Sequence, residues 1–241
     1  MSTSTSSTLF SLIGNSVKDE YSREVGQVVF FVVSPQGSIM EVLVNQNGRY
    51  YYYPKSHIKI ADTGEAVILS DVKLKTELLC QKIPLVWRKD QILSDLVKNK
   101  KVLPEIYDEF HTQFDETLGN MKAEAKATLE TIHQRMDTCK EQLKRLQSVK
   151  TQLEISAAMG EIEEVPYKNS YSNILEGIGK TFNEMKDLES MGTRLSNLLM
   201  DEVHPTVGDA IKEEANQNKT ETTVKEYTET IPEETISVRL R

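Results

Sequence analysis

Between Tyr107 and Leu146 an apolar side chain recurs every three or four residues without a break. The series is Tyr107, Phe110, Phe114, Leu118, Met121, Ala125, Leu129, Ile132, Met136, Cys139, Leu143 and Leu146. Its steps are 3,4,4,3,4,4,3 as far as Ile132 and 4,3,4,3 beyond it. The first part repeats every eleven residues and the second every seven, so a single long helix carries a change of supercoil near Ile132. The stripe is narrow and is flanked by charged residues such as Glu141, Lys144 and Arg145, which marks a coiled-coil seam rather than one face of a globular core. A helix of about 55 residues is ~80 Å long. No small domain can cover a seam of that length, so the sequence predicts that a partner helix does, with a second copy of the chain completing it.

The break comes at Gly160–Pro166. A second amphipathic helix follows through Ile174, Ile178, Phe182, Met185, Leu188, Leu195, Leu198 and Leu199. It ends before Pro205, which disfavours helix in the residue ahead of it. The two helices, about 105–159 and 167–203, either fold back as a hairpin or continue the rod after a kink. A shorter amphipathic helix (Ile92, Leu93, Leu96, Val97) precedes them, and Pro104 opens the long one at a position where a missing N–H is harmless. The coiled-coil region is therefore 87–204.

Ahead of it, residues 9–86 alternate like β-structure. Strands are predicted at Gln27–Ser34, Ser38–Asn45, Arg49–Tyr53, Ile58–Ile60 and Ala66–Leu69, separated by Gly, Pro and Asn turns. Five short strands in so few residues indicate a small β-barrel. Of the run Tyr50–Tyr53, two rings should point inward and two outward. The fold class is thus α+β with the two parts segregated: a small N-terminal barrel, a long coiled coil and a disordered tail.

Residues 1–8 are a Ser/Thr tract and residues 205–230 a polar acidic one, and neither can bury enough apolar surface to order itself. The net charge of −8 is uneven. Residues 1–104 hold 13 basic and 10 acidic side chains, residues 105–200 hold 11 and 17, and residues 201–241 hold 5 and 10. Trp87, Arg88, Lys89, Lys98, Lys100 and Lys101 form the basic cluster of the front. It reads as a solvated helix face, as an interfacial helix suited to anionic lipid, or as a nucleic-acid contact. The same apolar face could instead cap the barrel.

Residues 231–241 end the chain with a separate signal. Ile236, Val238 and Leu240 alternate with polar residues, the period of a half-buried strand. A lone strand is not stable in water. It either joins this protein's own sheet or adds to the sheet of another.

No catalytic pattern emerges. Walker and G-x-G-x-x-G loops are absent, so no cofactor is implied. Two cysteines, Cys80 and Cys139, are too few for a disulfide framework or a zinc site. His57, His111, His133 and His204 lie far apart, and no Ser-His-Asp arrangement is expected. Asp108, Glu109, His111 and Asp115 read as the solvent side of a helix rather than as metal ligands. With no secretory signal and no apolar run of the ~18 residues that span a bilayer, the sequence predicts a cytoplasmic, non-enzymatic protein.

The stretch Leu12-Ile13-Gly14-Asn15-Ser16-Val17-Lys18-Asp19, followed by Val25-Gly26-Gln27-Val28, resembles the opening of PRC-barrel domains, in which one glycine- and valine-bearing strand leads to another. Together with the coiled coil and the tail Glu234–Leu240, the chain resembles the CdvA family of archaeal cell-division proteins. That resemblance implies self-assembly into filaments at the division-site membrane, a described association with DNA, and recruitment of the ESCRT-III homologue CdvB. Recruitment there uses a C-terminal strand added to the CdvB winged-helix domain. It implies that Ile236, Val238 and Leu240 fill pockets on one face and that Thr235, Ser237 and Arg239 line the other. Pro232 would stop the strand extending backwards. A nucleic-acid organiser using the basic front is the alternative.

Overall fold

The computed structural model describes residues 10–60 and 65–200. The expected disordered segments 1–8 and 205–230, and the strand motif 231–241, lie outside the described residues. The N-terminal part is a six-stranded sheet of β1 (Ser16–Asp19), β2 (Glu24–Val33), β3 (Ile39–Gln46), β4 (Arg49–Pro54), β5 (Ile58–Ile60) and β6 (Ala66–Ile68), in the order β4-β3-β2-β1-β6-β5. All neighbours are antiparallel except β1 and β6. The five strands read from alternation all form, and β1 lies in the stretch that carries the PRC-barrel resemblance. Asn47 and Gly48 close the β3–β4 hairpin with φ of 51° and 85°, the left-handed pair that matches strand twist. The Asn45 side chain accepts from the Gly48 N–H at 2.9 Å.

One apolar cluster holds the sheet together: Leu12, Val17, Val28, Phe31, Val42, Val44, Ala66 and Ile68. Tyr53 on β4 and Ile58 on β5 both pack against it. Those strands sit at opposite ends of the sheet, so the sheet must curl around its own core. It is not the closed barrel expected, because no ladder joins β4 to β5. Pro54 has no N–H to donate, and the 3₁₀ turn Lys55–His57 lifts the chain off the β4 edge before β5 begins. Tyr51 and Tyr53 share a face with Val44 and Val42, and Tyr50 and Tyr52 share the opposite one with Asn45 and Leu43. Of the four rings only Tyr53 is half-buried, so core packing accounts for one rather than two.

Three described helices follow: α1 (Asp71–Lys98), α2 (Pro104–Ala158) and α3 (Glu164–Met200). The sequence continues the β-region to residue 86, whereas helix begins at Asp71. Ser70 caps it, its hydroxyl accepting from the Lys73 N–H at 3.4 Å. The buried side chains Val72, Thr76, Leu79 and Ile83 then follow helical spacing, and the helix runs through Pro84.

Both α1 and α3 lie antiparallel to α2. Tyr107 meets Ser94, His111 meets Asp90 and Lys122 meets Trp87 on one stretch of α2. Farther along, Arg135 meets Glu184, Leu146 faces Gly177 and Lys150 meets Tyr171. α1 thus packs on the first part of the seam and α3 on the second, and the two overlap in the middle, where Lys73 of α1 meets Asp187 of α3 and Gly192 of α3 faces both Ile132 and Leu129. The break at Gly160–Pro166 therefore makes a hairpin, one of the two arrangements expected, and α1, which begins at Asp71 ahead of the region expected to be helical, adds cover to the seam, of which Phe110 stays 44% exposed. Ile83, Ile132, Leu188 and Leu195 are fully buried in the resulting core, each contributing about 1.5–3 kcal/mol.

Candidate functional site

The β1–β2 turn sets the junction between sheet and helices. Asp19 ends β1, and its carboxylate accepts from the Tyr21 and Arg23 N–H groups at 2.9 and 2.8 Å. Ser22 adopts φ 63° to complete the turn. This aims two side chains at α3. The Arg23 guanidinium pairs with Glu184 and lies 3.4 Å from the Thr181 hydroxyl. Arg135 on α2 takes the other Glu184 oxygen at 2.9 Å. The Tyr21 hydroxyl donates to Asp187 at 3.1 Å, and Lys73 on α1 reaches the same oxygen at 2.8 Å.

Burial pushes the Tyr21 hydroxyl far above its usual range, and the Asp187 charge adds to it. Tyr21 therefore stays protonated and stays a donor. Burial likewise raises the neighbouring Cys139 thiol, with the Glu184 carboxylate adding to the effect, which disfavours its thiolate. Sequence reasoning missed this clamp entirely. Single charges on a helix face carry no periodic signal that would mark them.

Beside the clamp an open cleft of about 860 Å³ is lined by, among others, Tyr52, His57, Asp71, Lys75 and Glu124. At its edge His57 and Asp71 take part in an arrangement that the sequence did not lead us to expect. The Ser56 hydroxyl lies 3.3 Å from His57 Nδ1, and His57 Nε2 lies 2.7 Å from Asp71. The geometry does not make a nucleophile. The Asp71 side chain is 79% exposed, whereas an orienting carboxylate is buried, and Ser56 is the chain neighbour of His57. The contact ties the 3₁₀ turn to the first turn of α1.

The basic cluster is brought together only in part. Trp87 is half-buried in the helical core beneath Lys122, 5.8 Å from its ring. Leu93, Leu96 and Val97 are half-buried as well, on the side where Ser94 meets Tyr107. Of the apolar face read as interfacial or barrel-capping, those three side chains are thus partly covered, while Ile92 is 50% exposed. Arg88, Lys89, Lys98, Lys100 and Lys101 remain exposed, the last three at the α1–α2 turn. His111 is held by Asp90 at 2.7 Å across α1 and α2, with Asp115 at 3.9 Å. That hydrogen bond raises its pKa above the ordinary 6.5. The docking residues Pro232, Thr235, Ile236, Ser237, Val238, Arg239 and Leu240 lie outside the described residues. No described helix is long and apolar enough to cross a membrane.

Residues 73–227 match the model of the CdvA-like coiled-coil domain. Over 162 residues, 67% of this chain and 68% of the relative, the sequence is 24% identical to Cell division protein A of Sulfolobus acidocaldarius. No solved structure matches the chain.

Proposed function

The chain belongs to the CdvA-like coiled-coil family, and on that premise we propose that it is a scaffold of cell division. It self-assembles in the cytoplasm, peripheral to the division-site membrane. Its residues 231–241 recruit an ESCRT-III homologue of the CdvB kind by adding a strand to a winged-helix domain. Ile236, Val238 and Leu240 enter pockets of that domain, while Arg239 pairs with an acidic rim. Assembly multiplies the tails on one surface, so a modest strand affinity becomes avid recruitment.

The observation that carries this reading is the extent of the family match. It starts at Lys73, two residues into α1, and runs through α2 and α3, so the likeness lies in the whole helical body. The family model is described as a coiled-coil domain and the relative as a cell division protein, neither as an enzyme. The test is removal of residues 231–241 followed by co-sedimentation with an ESCRT-III homologue that carries a winged-helix domain. Loss of the partner from the pellet supports recruitment through the tail. Unchanged binding ends that model.

A further inference from the structure

The two turns of the helical body carry opposite charges. The α1–α2 turn holds Lys98, Lys100 and Lys101, with Glu105 following in the first turn of α2, and the α2–α3 turn holds Glu161, Glu163 and Glu164, with Lys168 following, all exposed. Each turn also displays apolar side chains. Leu103 is 64% exposed beside the lysines, while Met159 and Val165 are 68% and 69% exposed beside the glutamates. Ile106 and Ile155 extend the two patches. Exposed aliphatic groups ringed by charge are the composition of a contact surface.

Both turns are closed by backbone hydrogen bonds. In each, the chain leaves its helix through a left-handed residue with the paired hydrogen bonds of a Schellman closure. Gly160 (φ 75°) donates to Ala157 while Glu161 donates to Ser156, and Lys100 (φ 53°) donates to Val97 while Lys101 donates to Leu96. Glycine is the unstrained choice at such a position. The α2–α3 turn uses it, whereas the α1–α2 turn holds a strained lysine that keeps a positive charge at its apex. The local partners leave the charges available, since Lys98–Asp95 and Glu164–Lys168 are exposed pairs that hold their members weakly.

The antiparallel packing puts these turns at opposite ends of α2, ~80 Å apart by the rise of its 55 residues. We propose that the basic α1–α2 turn of one copy docks on the acidic α2–α3 turn of the next. Opposite patches at opposite ends make a heterologous contact, which repeats into an open chain of copies instead of closing as a pair. This rests on the assembly reading above and supplies its contact.

The test uses the full chain in three forms: wild type, the triple variant Lys98→Glu/Lys100→Glu/Lys101→Glu, and the triple variant Glu161→Lys/Glu163→Lys/Glu164→Lys. Each is followed by sedimentation velocity at low ionic strength, with helicity checked by circular dichroism. Wild type forms species larger than a pair, each variant alone loses them, and an equimolar mixture of the two regains them, since every junction is again oppositely charged. Regain in the mixture also shows that both variants fold. If both variants assemble like wild type, or the mixture stays dissociated, the end-to-end contact is overturned while the assembly reading stands. If wild type itself is monomeric, both fall. If the lysine variant assembles normally but no longer binds vesicles of anionic lipid, the basic turn is a membrane contact and the proposal is overturned.

Discussion

The curled sheet and the helical body each fill their own apolar core, and no buried residue belongs to both clusters. What joins them is polar: Tyr21 and Arg23 from the sheet meet Lys73, Arg135, Glu184 and Asp187 from the helices. The difference teaches that the interior of each part is set by its own hydrophobic period, two in the strands and near three and a half in the helices. The junction is set by charge, which depends on salt and contributes less.

The largest effect should come from Phe31→Ala, which empties the sheet core at a cost of about 3–5 kcal/mol. Trp87 is the only tryptophan and sits in the helical core, so its fluorescence reports the helical body, while near-ultraviolet tyrosine signals weight the sheet. The variant should shift the tyrosine transition in denaturant and leave that of Trp87 in place. One shared, shifted transition would break the comparison.

Two glycines sharpen it with opposite signs. A methyl group at Gly26 would lie 2.2 Å from the backbone oxygen of Asn45, so Gly26→Ala forces β2 away from β3 and should destabilise by about 1–3 kcal/mol. At Gly192 it would lie 3.5 Å from Ile132, an ordinary contact. Gly192→Ala should therefore stabilise the helical body by about 0.5–1 kcal/mol through helix propensity. Thermal melts of the two proteins decide it.

The clamp comes next. Glu184→Gln keeps the shape and removes the charge. Because the Arg23 and Arg135 side chains are 31% and 38% exposed, we expect a loss of about 1–2 kcal/mol rather than the full penalty of a buried pair. Added salt should weaken wild type and leave the variant nearly unchanged.

The smallest effect is a pH dependence. The pKa of His111 is raised in the folded chain by Asp90, with Asp115 and Asp108 helping. The stability it contributes is therefore fully present below about pH 6.5 and is lost as pH rises through its raised value. An exposed pair of this kind is worth about 1 kcal/mol or less. His111→Gln should flatten that part of the stability profile, as urea titrations at acidic and alkaline pH would register.

Periodicity made much of this legible. The helix over Pro104–Ala158 and the strands β2 to β6 follow from spacing alone, because buried positions repeat at the period of the element. Three features escaped for physical reasons. The first turns of α1 escaped because a proline normally ends a helix, yet here the helix runs through Pro84, with Leu79 and Ile83 buried ahead of it and Val86 and Trp87 packed on the core behind it. The hairpin of α2 and α3 was one of the two arrangements read from the break at Gly160–Pro166, whereas the packing of α1 on α2 escaped because a stripe states that a partner helix is needed, not which one. The clamp escaped because Arg23 and Glu184 are 161 residues apart, and a lone charge on a helix looks like any solvated residue. The alternation at Ile236, Val238 and Leu240 was plain in the sequence, and docking through it is put to a binding experiment.

That experiment compares Val238→Asp with Ser237→Asp in the full chain, titrated against an ESCRT-III homologue bearing a winged-helix domain. If the apolar face of the strand enters the partner, Val238→Asp places a charge in an apolar pocket and weakens binding roughly tenfold or more. Ser237→Asp, on the other face, should change it by less than about threefold, the scale of a rim charge. Equal binding by both variants and wild type, or a loss confined to Ser237→Asp, would contradict the scaffold account at its centre.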